Sequence, residues 1–427
     1  MNTFPVTKKK MPSGLRFLLL PRSEGQTVTF MVLIGVGSRY ETDKQNGLSH
    51  FLEHMFFKGT ERRPTMKEIA EAIDGVGGEF NAFTGEEYTG YYVKVSAEHL
   101  EHGADVVSDI LLRPLFPQEE IDRERGVIQE EIKMYTDMPM RHVQHLWQQA
   151  MFGTHPLGMR IDGTNESVSK FMRPDFVNYT KKHYHTGNTV VVVAGKFDEK
   201  KALPVLKKLF TPLPKGGETH PKAAPKTLPH TRFLHEYRAH IDQTQVMLGV
   251  PGLALSDKRR HIAALLAVIL GGGFSSRLFM SVRERHGLAY TIRTSNDSYV
   301  DSGSFVTQAG VLTDKTELAL KLIMEEYDRV MIEPVTEPEL AKAKEMVRGH
   351  LVLELEETNA IAIFAGGQEL LEKSIETPEK IWKRVNAVSA RDIQKLAQEL
   401  LAEEKRTLVM LSPHADVGSF ETLLKKA

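Results

Sequence analysis

The sequence predicts an α+β protein made of two structurally related α/β-sandwich domains, and three observations carry this prediction. The chain has 427 residues, which is too long for one ordinary hydrophobic core. A proline-rich stretch near the middle separates two segments of similar length. Both segments follow the same order of strand-like and helix-like patterns, and this mixture is typical of layered α+β domains.

The proline-rich stretch is the clearest break in the chain. Residues 211–231 (TPLPKGGETHPKAAPKTLPHT) hold five prolines and two glycines, which disfavour a sustained helix or strand. The stretch is therefore predicted to be an extended, semi-stiff linker. The predicted organisation is a first domain over residues 1–212, a linker over 213–230 and a second, related domain over 231–427.

Corresponding segments can be paired across the two halves, as expected of a degenerate tandem repeat. Each half opens with a β-rich run, continues with an apolar helix, alternating strands and an acidic helix, and closes on a strand. The β-rich runs, apolar helices and closing strands are, respectively, 28–33 and 244–249, 47–57 and 260–270, and 189–194 and 407–411.

Composition and charge exclude several classes of protein. With 41% apolar and 26% charged residues, the chain is typical of a soluble globular protein. Its net charge of −1 gives no reason to expect nucleic acid or an anionic membrane as a partner. The lack of cysteine excludes disulfides, thiolate metal ligands and a cysteine nucleophile. No apolar run of about 20 residues indicates a transmembrane segment, and the whole pattern fits a cytoplasmic enzyme.

The stretch HFLEH at residues 50–54 places two imidazoles and a carboxylate on one predicted helical turn. Residues four apart on a helix face the same way, with Cβ atoms roughly 5–6 Å apart. His50 and His54 can therefore share one zinc ion, and Glu53 can accept a proton from an attacking water. This inverted order of the motif occurs among zinc peptidases. The alternative interpretation is an amphipathic helix that only happens to carry these polar residues.

A third metal ligand must come from elsewhere in the chain. The acidic segment 119–134 is strongly helical, and it places Glu124 and Glu131 two turns apart on one face. A carboxylate is a normal third zinc ligand beside two histidines. The pattern alone does not choose among Glu124, Glu130 and Glu131, and most acidic helices are simply solvated.

The second half lacks the histidine motif. When Ile121 is aligned with Leu340, His350 stands opposite Glu131. A repeat that keeps the fold and loses the metal residues makes one half catalytic and the other a wall or lid. The first domain is therefore predicted to bind the metal and the second to complete the active site.

These residues make the chain resemble the pitrilysin-type inverzincin zinc metallopeptidases, in the branch of the mitochondrial processing peptidase and its small bacterial relatives. The run HFLEHMFFKGT at 50–60 is similar to the signature of that branch, and 76 residues separate His54 from Glu131, as in the family motif. The resemblance implies that His50, His54 and Glu131 bind one Zn²⁺ per chain. It also implies that Glu53 is the general base.

The resemblance extends to residues around this site. Glu124 matches a carboxylate that orients a zinc-binding histidine, and Phe57 matches a position that lines the substrate pocket. The segment 78–84 (GEFNAFT) is similar to the family's edge strand, on which extended peptides add a strand through backbone hydrogen bonds. The residues implied to bind substrate there are Asn81, Ala82, Phe83 and Thr84. An ordinary hairpin strand is compatible with that role.

In the second half, Arg283 and Tyr290 resemble an Arg/Tyr pair of the family with the same spacing. The resemblance implies that Tyr290 donates a hydrogen bond to the oxyanion and that Arg283 holds a substrate carbonyl. Preorganised donors of this kind are usually a large catalytic term. Arg285 is the alternative if the register is shifted. The family arrangement further implies two domains that enclose a chamber, and a homodimer.

The sequence therefore predicts a zinc endopeptidase that hydrolyses peptides or unfolded-protein segments, held as an extended strand in a closed chamber. The alternative from another class is a non-catalytic scaffold or a regulatory subunit of a heteromeric peptidase. Such relatives usually lose the zinc residues or the Arg/Tyr pair, and this chain keeps both. A metal hydrolase with a substrate other than a peptide is the remaining alternative, and the strand at 80–84 argues against it.

Overall fold

The computed structural model describes residues 5–217, 224–225 and 232–426, and its strands form two sheets. Residues 218–223 and 226–230 of the predicted linker lie outside the described residues. The first sheet consists of β1 (Thr7–Lys10), β2 (Arg16–Pro21), β3 (Thr27–Ile34), β4 (Glu79–Thr84), β5 (Thr89–Ser96) and β6 (Thr189–Gly195). The second sheet consists of β7 (Phe233–Tyr237), β8 (Gln243–Pro251), β9 (Ala289–Ser298), β10 (Gly303–Leu312) and β11 (Thr407–Ser412).

Helices fill the intervals between the strands. Those of the first half are α1 (Leu48–Met55), α2 (Met66–Asp74), α3 (Leu100–Leu112), α4 (Gln118–Asp137), α5 (Pro139–Phe152), α6 (Asn165–Val168), α7 (Arg173–His183) and α8 (Glu199–Leu209). Those of the second half are α9 (Arg260–Gly271), α10 (Thr316–Ile332), α11 (Glu337–Glu354), α12 (Thr358–Leu371), α13 (Pro378–Asn386), α14 (Ala390–Leu400) and α15 (Gly418–Lys426). A π-helix spans Phe279–Arg285.

The two sheets share one topology. The first has the order β1-β2-β6-β3-β5-β4 and the second β7-β11-β8-β10-β9, so that, apart from β1, the strands correspond one to one. The pairs β2–β6 and β7–β11 are parallel, and the other pairs are antiparallel. The predicted fold class, two related α/β domains, is confirmed.

The central strand β3 shows why strands of these sheets appear in the sequence as continuous runs of apolar residues. Val28, Phe30 and Val32 lie in the core beneath the helices of the first half. Met31 and Leu33 lie in a second cluster on the opposite face. Because successive side chains of a strand point to opposite faces, a strand covered on both sides keeps no polar alternation.

The chain packs into two compact units. The first contains Met1–Lys133, Arg160–Lys222 and Val352–Glu376, and the second contains Met134–Met159, Ala223–Leu351 and Thr377–Ala427. Helix α12, from the second half of the sequence, thus belongs to the first unit, and α5, from the first half, to the second unit. The domain boundaries 1–212 and 231–427 follow the sequence repeat rather than packing, and they stay a prediction.

Within the first unit, α12 covers the face of the sheet that lies opposite the helices of the first half. Ile361 and Ala365 are fully buried in the cluster that includes Leu33 and Val192. A Cβ added to Gly366 would lie 2.5 Å from Leu33 Cδ1 and 2.8 Å from Val192 Cγ2, so a larger residue at that position would force these side chains to move.

Within the second unit, α5 covers one face of the second sheet in the same way. Trp147 is buried with Met247 and Val409 of the second sheet. Its indole Nε1 donates a hydrogen bond of 3.3 Å to Ser304 Oγ, which satisfies the polar edge of a ring that is otherwise apolar. Each sheet is therefore covered on one of its faces by a helix from the other half of the sequence.

We expect Ile361→Ala to lower the free energy of unfolding of the first unit by about 2–5 kcal/mol, because it leaves a cavity against the sheet. Urea unfolding, followed by a probe placed in residues 1–133, measures this change. Leu353→Ala is the control, since Leu353 is 71% exposed and truncation there should change stability by at most about 0.5 kcal/mol. Equal midpoints for the wild type and Ile361→Ala would contradict the packing role of α12.

Candidate metal centre

Helix α1 buries one face and leaves three polar residues on the other. The buried apolar residues are Leu48, Phe51, Leu52 and Met55. Because they occupy the core-facing side of barely two turns, His50, Glu53 and His54 share the remaining face. The sequence predicted this helix over 47–57, and the structure ends it at residue 55.

The start of α1 is held from inside the core by Glu41. This fully buried carboxylate accepts the backbone N–H groups of Gly47, at 2.8 Å, and Ser49, at 2.6 Å. Burial raises the pKa of Glu41 to about 7, although the hydrogen bonds from Ser49 and Gly47 act in the opposite direction. Gly47 has a φ of +92°, and a Cβ there would lie 2.8 Å from Gly163 Cα, so glycine is required.

Helix α4 supplies the carboxylates that face α1. Its core side consists of Ile121, Ile128 and Ile132. Glu124 is also buried, whereas the side chain of Glu131 is 20% exposed. Anchoring by the three isoleucines therefore fixes both carboxylates at the level of the two histidines.

The structure brings His50, His54 and Glu131 together. Glu131 Oε2 lies 3.7 Å from Nε2 of each histidine, and one ligand atom from each residue falls within 4.8 Å of the others. Zinc–nitrogen distances are about 2.0–2.1 Å, so these atoms can surround one tetrahedral ion. Burial, with a smaller effect of His54, lowers the pKa of His50 to about 4, and the neutral imidazole is the form that binds metal. The donor set fits zinc.

Of the three glutamates that the sequence left open, only Glu131 joins this cluster among the described residues. Glu130 is 72% exposed and pairs with Lys133 at 2.5 Å. Glu124 contacts the far nitrogen of His54, as the resemblance implied for a supporting carboxylate.

Glu124 holds the orientation of His54. Its Oε1 lies 2.9 Å from His54 Nδ1, and its Oε2 lies 2.6 Å from Lys58 Nζ. Burial alone would raise the pKa of Glu124, but the hydrogen bonds from His54 and Lys58 outweigh burial and lower it. The ionised Glu124 accepts a hydrogen bond from the Nδ1–H group of His54. Nε2 of His54 then carries no proton and faces Glu131.

Glu53 shares the face of α1 with the two histidines. Burial raises the pKa of its carboxyl group, and the hydrogen bond from Thr84 and the charge on His54 partly oppose this effect. Thr84 Oγ1 donates that hydrogen bond to Glu53 Oε2 at 2.5 Å. A carboxylate whose pKa is raised is a stronger proton acceptor than an ordinary glutamate.

The predicted substrate strand is β4, at one edge of the first sheet. Ala82 packs towards the core that contains α1, whereas Phe83 packs on the opposite face, with its ring 5.7 Å from that of Tyr88. The backbone N–H of Ala82 donates to Asn81 Oδ1 at 2.8 Å in an exposed position. The outer edge of β4 thus carries a backbone donor that only its own neighbour satisfies.

Phe57 borders a small cavity beside this strand. Its ring centroid lies 5.5 Å from that of Phe80, and Ile69, Tyr91 and Ile110 also line the cavity. The lining is almost entirely apolar, and the volume of about 10 Å³ is close to the space that one water molecule occupies.

Arg283 and Tyr290 lie in the second unit. Arg283 belongs to the π-helix, and its guanidinium carbon is 4.8 Å from the centroid of the Phe279 ring and 5.0 Å from that of Tyr290. Its Nη1 donates to the backbone oxygen of Tyr290 at 2.6 Å. Tyr290 is 70% exposed. Arg285, the alternative in a shifted register, is also exposed.

Sequence reasoning missed three contacts of this site. Glu41 lies only six and eight residues before Gly47 and Ser49, but the loop that joins them has no helical or strand periodicity, so no pattern indicates the contact. Lys58 follows the histidine motif directly, yet its pairing with Glu124 depends on how α4 packs. Thr84 was assigned to substrate binding, and its hydroxyl contact with Glu53 was not foreseen.

Comparisons with known proteins bear directly on this arrangement. A family model described as "Insulinase (Peptidase family M16)" matches residues 16–165, and one described as "Peptidase M16 inactive domain" matches residues 170–347. The chain is 36% identical over 407 residues to an uncharacterized zinc protease, YmxG, of Bacillus subtilis, covering 95% of this chain and 98% of that protein. It is 35% identical to an uncharacterized zinc protease of Streptomyces coelicolor, covering 96% of this chain and 90% of that protein.

Solved structures with the same fold include a protease from Helicobacter pylori. That structure has a TM-score of 0.90 and 22% identity and covers 96% of this chain and all of the other chain. A structure from Pseudomonas fluorescens described as a peptidase M16 inactive domain has a TM-score of 0.89 at 20% identity, covering 96% and 98% of the two chains.

The chain belongs to the insulinase family of peptidases, M16, and the resemblance seen in its sequence is confirmed. Membership supports a metallopeptidase at the level of the family, since its relatives are named zinc proteases. No helix in the described part of the chain has both the length and the apolar character needed to cross a bilayer.

We expect Glu124→Gln to weaken zinc affinity about 10–100-fold, because His54 loses its charged hydrogen-bond acceptor. Competition with a chromophoric chelator measures the dissociation constant of zinc. Glu130→Gln, on the solvent side of the same helix, is the matched control and should leave affinity unchanged. The proposed support of His54 would be wrong if both variants bound zinc like the wild type.

Proposed function

We propose that the protein is a zinc-dependent endopeptidase that hydrolyses peptides or unfolded polypeptide segments. The observation that carries the proposal is the cluster of His50, His54 and Glu131, with the carboxylate of Glu53 on the same face of α1. Two imidazoles and a carboxylate leave a fourth position open, which distinguishes a catalytic zinc site from a structural one. One Zn²⁺ per chain follows from the single cluster found among the described residues.

When bound, zinc supplies Lewis-acid polarisation of a carbonyl and lowers the pKa of water. Glu53 then acts as general base and accepts a proton from the water that attacks the carbonyl carbon of the peptide bond. As the carbon–nitrogen bond breaks, Glu53 returns that proton to the leaving amine. Its raised pKa suits both halves of this transfer.

The substrate is proposed to bind as an extended strand along the open edge of β4, near Asn81, Ala82, Phe83 and Thr84. A peptide carbonyl would replace the Asn81 side chain on the backbone N–H of Ala82, and the freed Asn81 amide could then bind the peptide backbone. Such pairing uses backbone groups and makes little demand on substrate sequence. The role of Phe57 in lining the substrate pocket stays a prediction from the sequence.

Arg283 and Tyr290 are proposed to donate hydrogen bonds to substrate oxygens, with Tyr290 directed at the developing oxyanion. The exposure of Tyr290 and the absence of any carboxylate partner for Arg283 among the described residues support this role. The stacking of Arg283 between two rings limits its motion, and preorganised donors stabilise charge that develops in the transition state.

The rival proposal, a non-catalytic scaffold or regulatory subunit, is disfavoured because the metal cluster lies within residues 50–131. That segment falls in the part matched by the first family model and not in the part matched by the model described as inactive. A closed chamber, a homodimer, a cytoplasmic location and a place in the processing-peptidase branch stay predictions from the sequence.

We expect Glu53→Gln to retain zinc and to lower kcat for an unstructured fluorogenic peptide by at least about 1000-fold, because it removes the proton acceptor. Elemental analysis gives the zinc content and a fluorescence assay the rate. Glu130→Gln serves as the control, and chelation of zinc from the wild type should abolish cleavage until zinc is restored. Equal cleavage by Glu53→Gln and the wild type would refute the mechanism.

For Tyr290→Phe we expect an intact zinc site and a kcat about 10–100-fold lower, because one oxyanion donor is lost. Steady-state kinetics on the same peptide measure this effect. Tyr237→Phe is the matched control, since Tyr237 is also exposed in the second unit, at 57%. If both variants keep the kinetics of the wild type, Tyr290 has no part in the reaction.

A further inference from the structure

The carboxylate of Glu53 has one hydrogen-bond partner among the residues that the structure describes, and it is the hydroxyl of Thr84. The contact joins Oγ1 and Oε2 at 2.5 Å and links two elements that are 31 residues apart in sequence. A glutamate side chain has three rotatable bonds, and fixing it costs conformational entropy. The direction of this carboxylate therefore depends on a single contact from β4.

Thr84 is well placed to hold that direction. It is the last residue of β4, and it pairs with Thr89, the first residue of β5. A β-branched side chain has few allowed χ1 rotamers, so the strand backbone fixes where the Thr84 hydroxyl points. Phe80 and Ala82, which share the face of Thr84 by strand alternation, pack against the core that contains α1.

The opposite end of the pair is also fixed. Thr89 is fully buried, and its Oγ1 donates to the backbone oxygen of Val36 at 2.8 Å. The end of the β4–β5 hairpin is thus tied to the chain that follows β3. Because the end of the strand is anchored in this way, Thr84 keeps a fixed position from which it can hold Glu53.

We propose that Thr84 is a positioning residue, which sets the direction of the Glu53 carboxylate from the strand on which the substrate binds. The proposal rests on the proposed peptidase function. Because β4 would hold the peptide and Thr84 would hold the base, one element would fix the position of both groups that exchange the proton. The predicted role of Thr84 in substrate binding is distinct, since a backbone contact does not require its hydroxyl.

The direction of the base matters because proton transfer falls steeply with misplacement. A shift of about 1 Å in a positioned group can lower the rate about 100-fold. Binding of the peptide to β4 depends on backbone groups, which a change of the Thr84 side chain leaves intact. Loss of the hydroxyl should therefore lower kcat and leave KM nearly unchanged.

Thr84→Val removes the hydroxyl and keeps the branched shape. We expect its kcat to fall about 10–100-fold, with KM within about twofold of the wild type because strand pairing persists. Thr84→Ser keeps the donor, and we expect it to retain kcat within about threefold of the wild type, the remainder reflecting its freer rotamer. Zinc content should be equal in all three proteins.

Thr29→Val is the matched control for loss of a threonine hydrogen bond in the same sheet. It removes the buried contact of 2.7 Å between Thr29 Oγ1 and Thr358 Oγ1, away from Glu53 and from the end of the β4–β5 hairpin. We expect its kcat to equal that of the wild type. Equal losses of kcat in Thr84→Val and Thr29→Val would overturn the positioning role and leave only a structural one.

Crystal structures of the zinc-free wild type, Thr84→Val and Thr84→Ser provide a second readout that does not depend on activity. We expect the Glu53 carboxylate to leave its place only in Thr84→Val. An unmoved carboxylate in Thr84→Val, or a rise in KM at unchanged kcat, would overturn the proposal. Absence of peptide cleavage by zinc-loaded wild type would instead overturn the proposed function itself.

Discussion

The candidate metal cluster depends on one constraint, the burial of a single face of α1. Four apolar residues occupy the core side of an eight-residue helix, so the polar residues of its only other face must stand together. Helix α4 is arranged in the same way, since its isoleucines are buried and its carboxylates face α1. Hydrophobic packing of the two helices thus positions the side chains of the site.

The electrostatics of the cluster follow from this packing. Burial favours neutral His50, whereas Glu124 stays ionised because His54 and Lys58 both donate to it. Burial raises the pKa of the Glu53 carboxyl group. The same packing therefore shifts the pKa values of neighbouring glutamates in opposite directions, a pattern that is common at functional sites.

The sequence predicted the parts of this site that lie close together along the chain. His50, Glu53 and His54 follow from helical spacing alone, and Glu131 was selected over Glu124 and Glu130 only through the resemblance to a family. The contacts of Glu41 depend on the conformation of the irregular loop before α1. The contact of the Thr84 hydroxyl depends on how β4 packs against α1, so neither follows from sequence periodicity.

The sequence likewise predicted only part of the fold. Alternating and continuous apolar runs predicted the strands, and the repeat predicted two related domains. The amphipathic character of α5 and α12 can be read from their residues, yet it does not say which sheet each one covers. Trp147 and Ile361 are apolar in either arrangement, and only the structure assigns α5 to the second sheet and α12 to the first.

The placement of α12 has a consequence for how the protein is made. Strand β6 completes the first sheet at residue 195, but the helix that covers its outer face ends at residue 371. At a synthesis rate of 5–20 residues per second, the ribosome needs roughly 10–35 s to make the intervening chain. During that time the sheet presents Leu18, Leu33 and Val192 to its surroundings. The apolar face of the first sheet therefore stays without its covering helix long after the last strand of that sheet has been made.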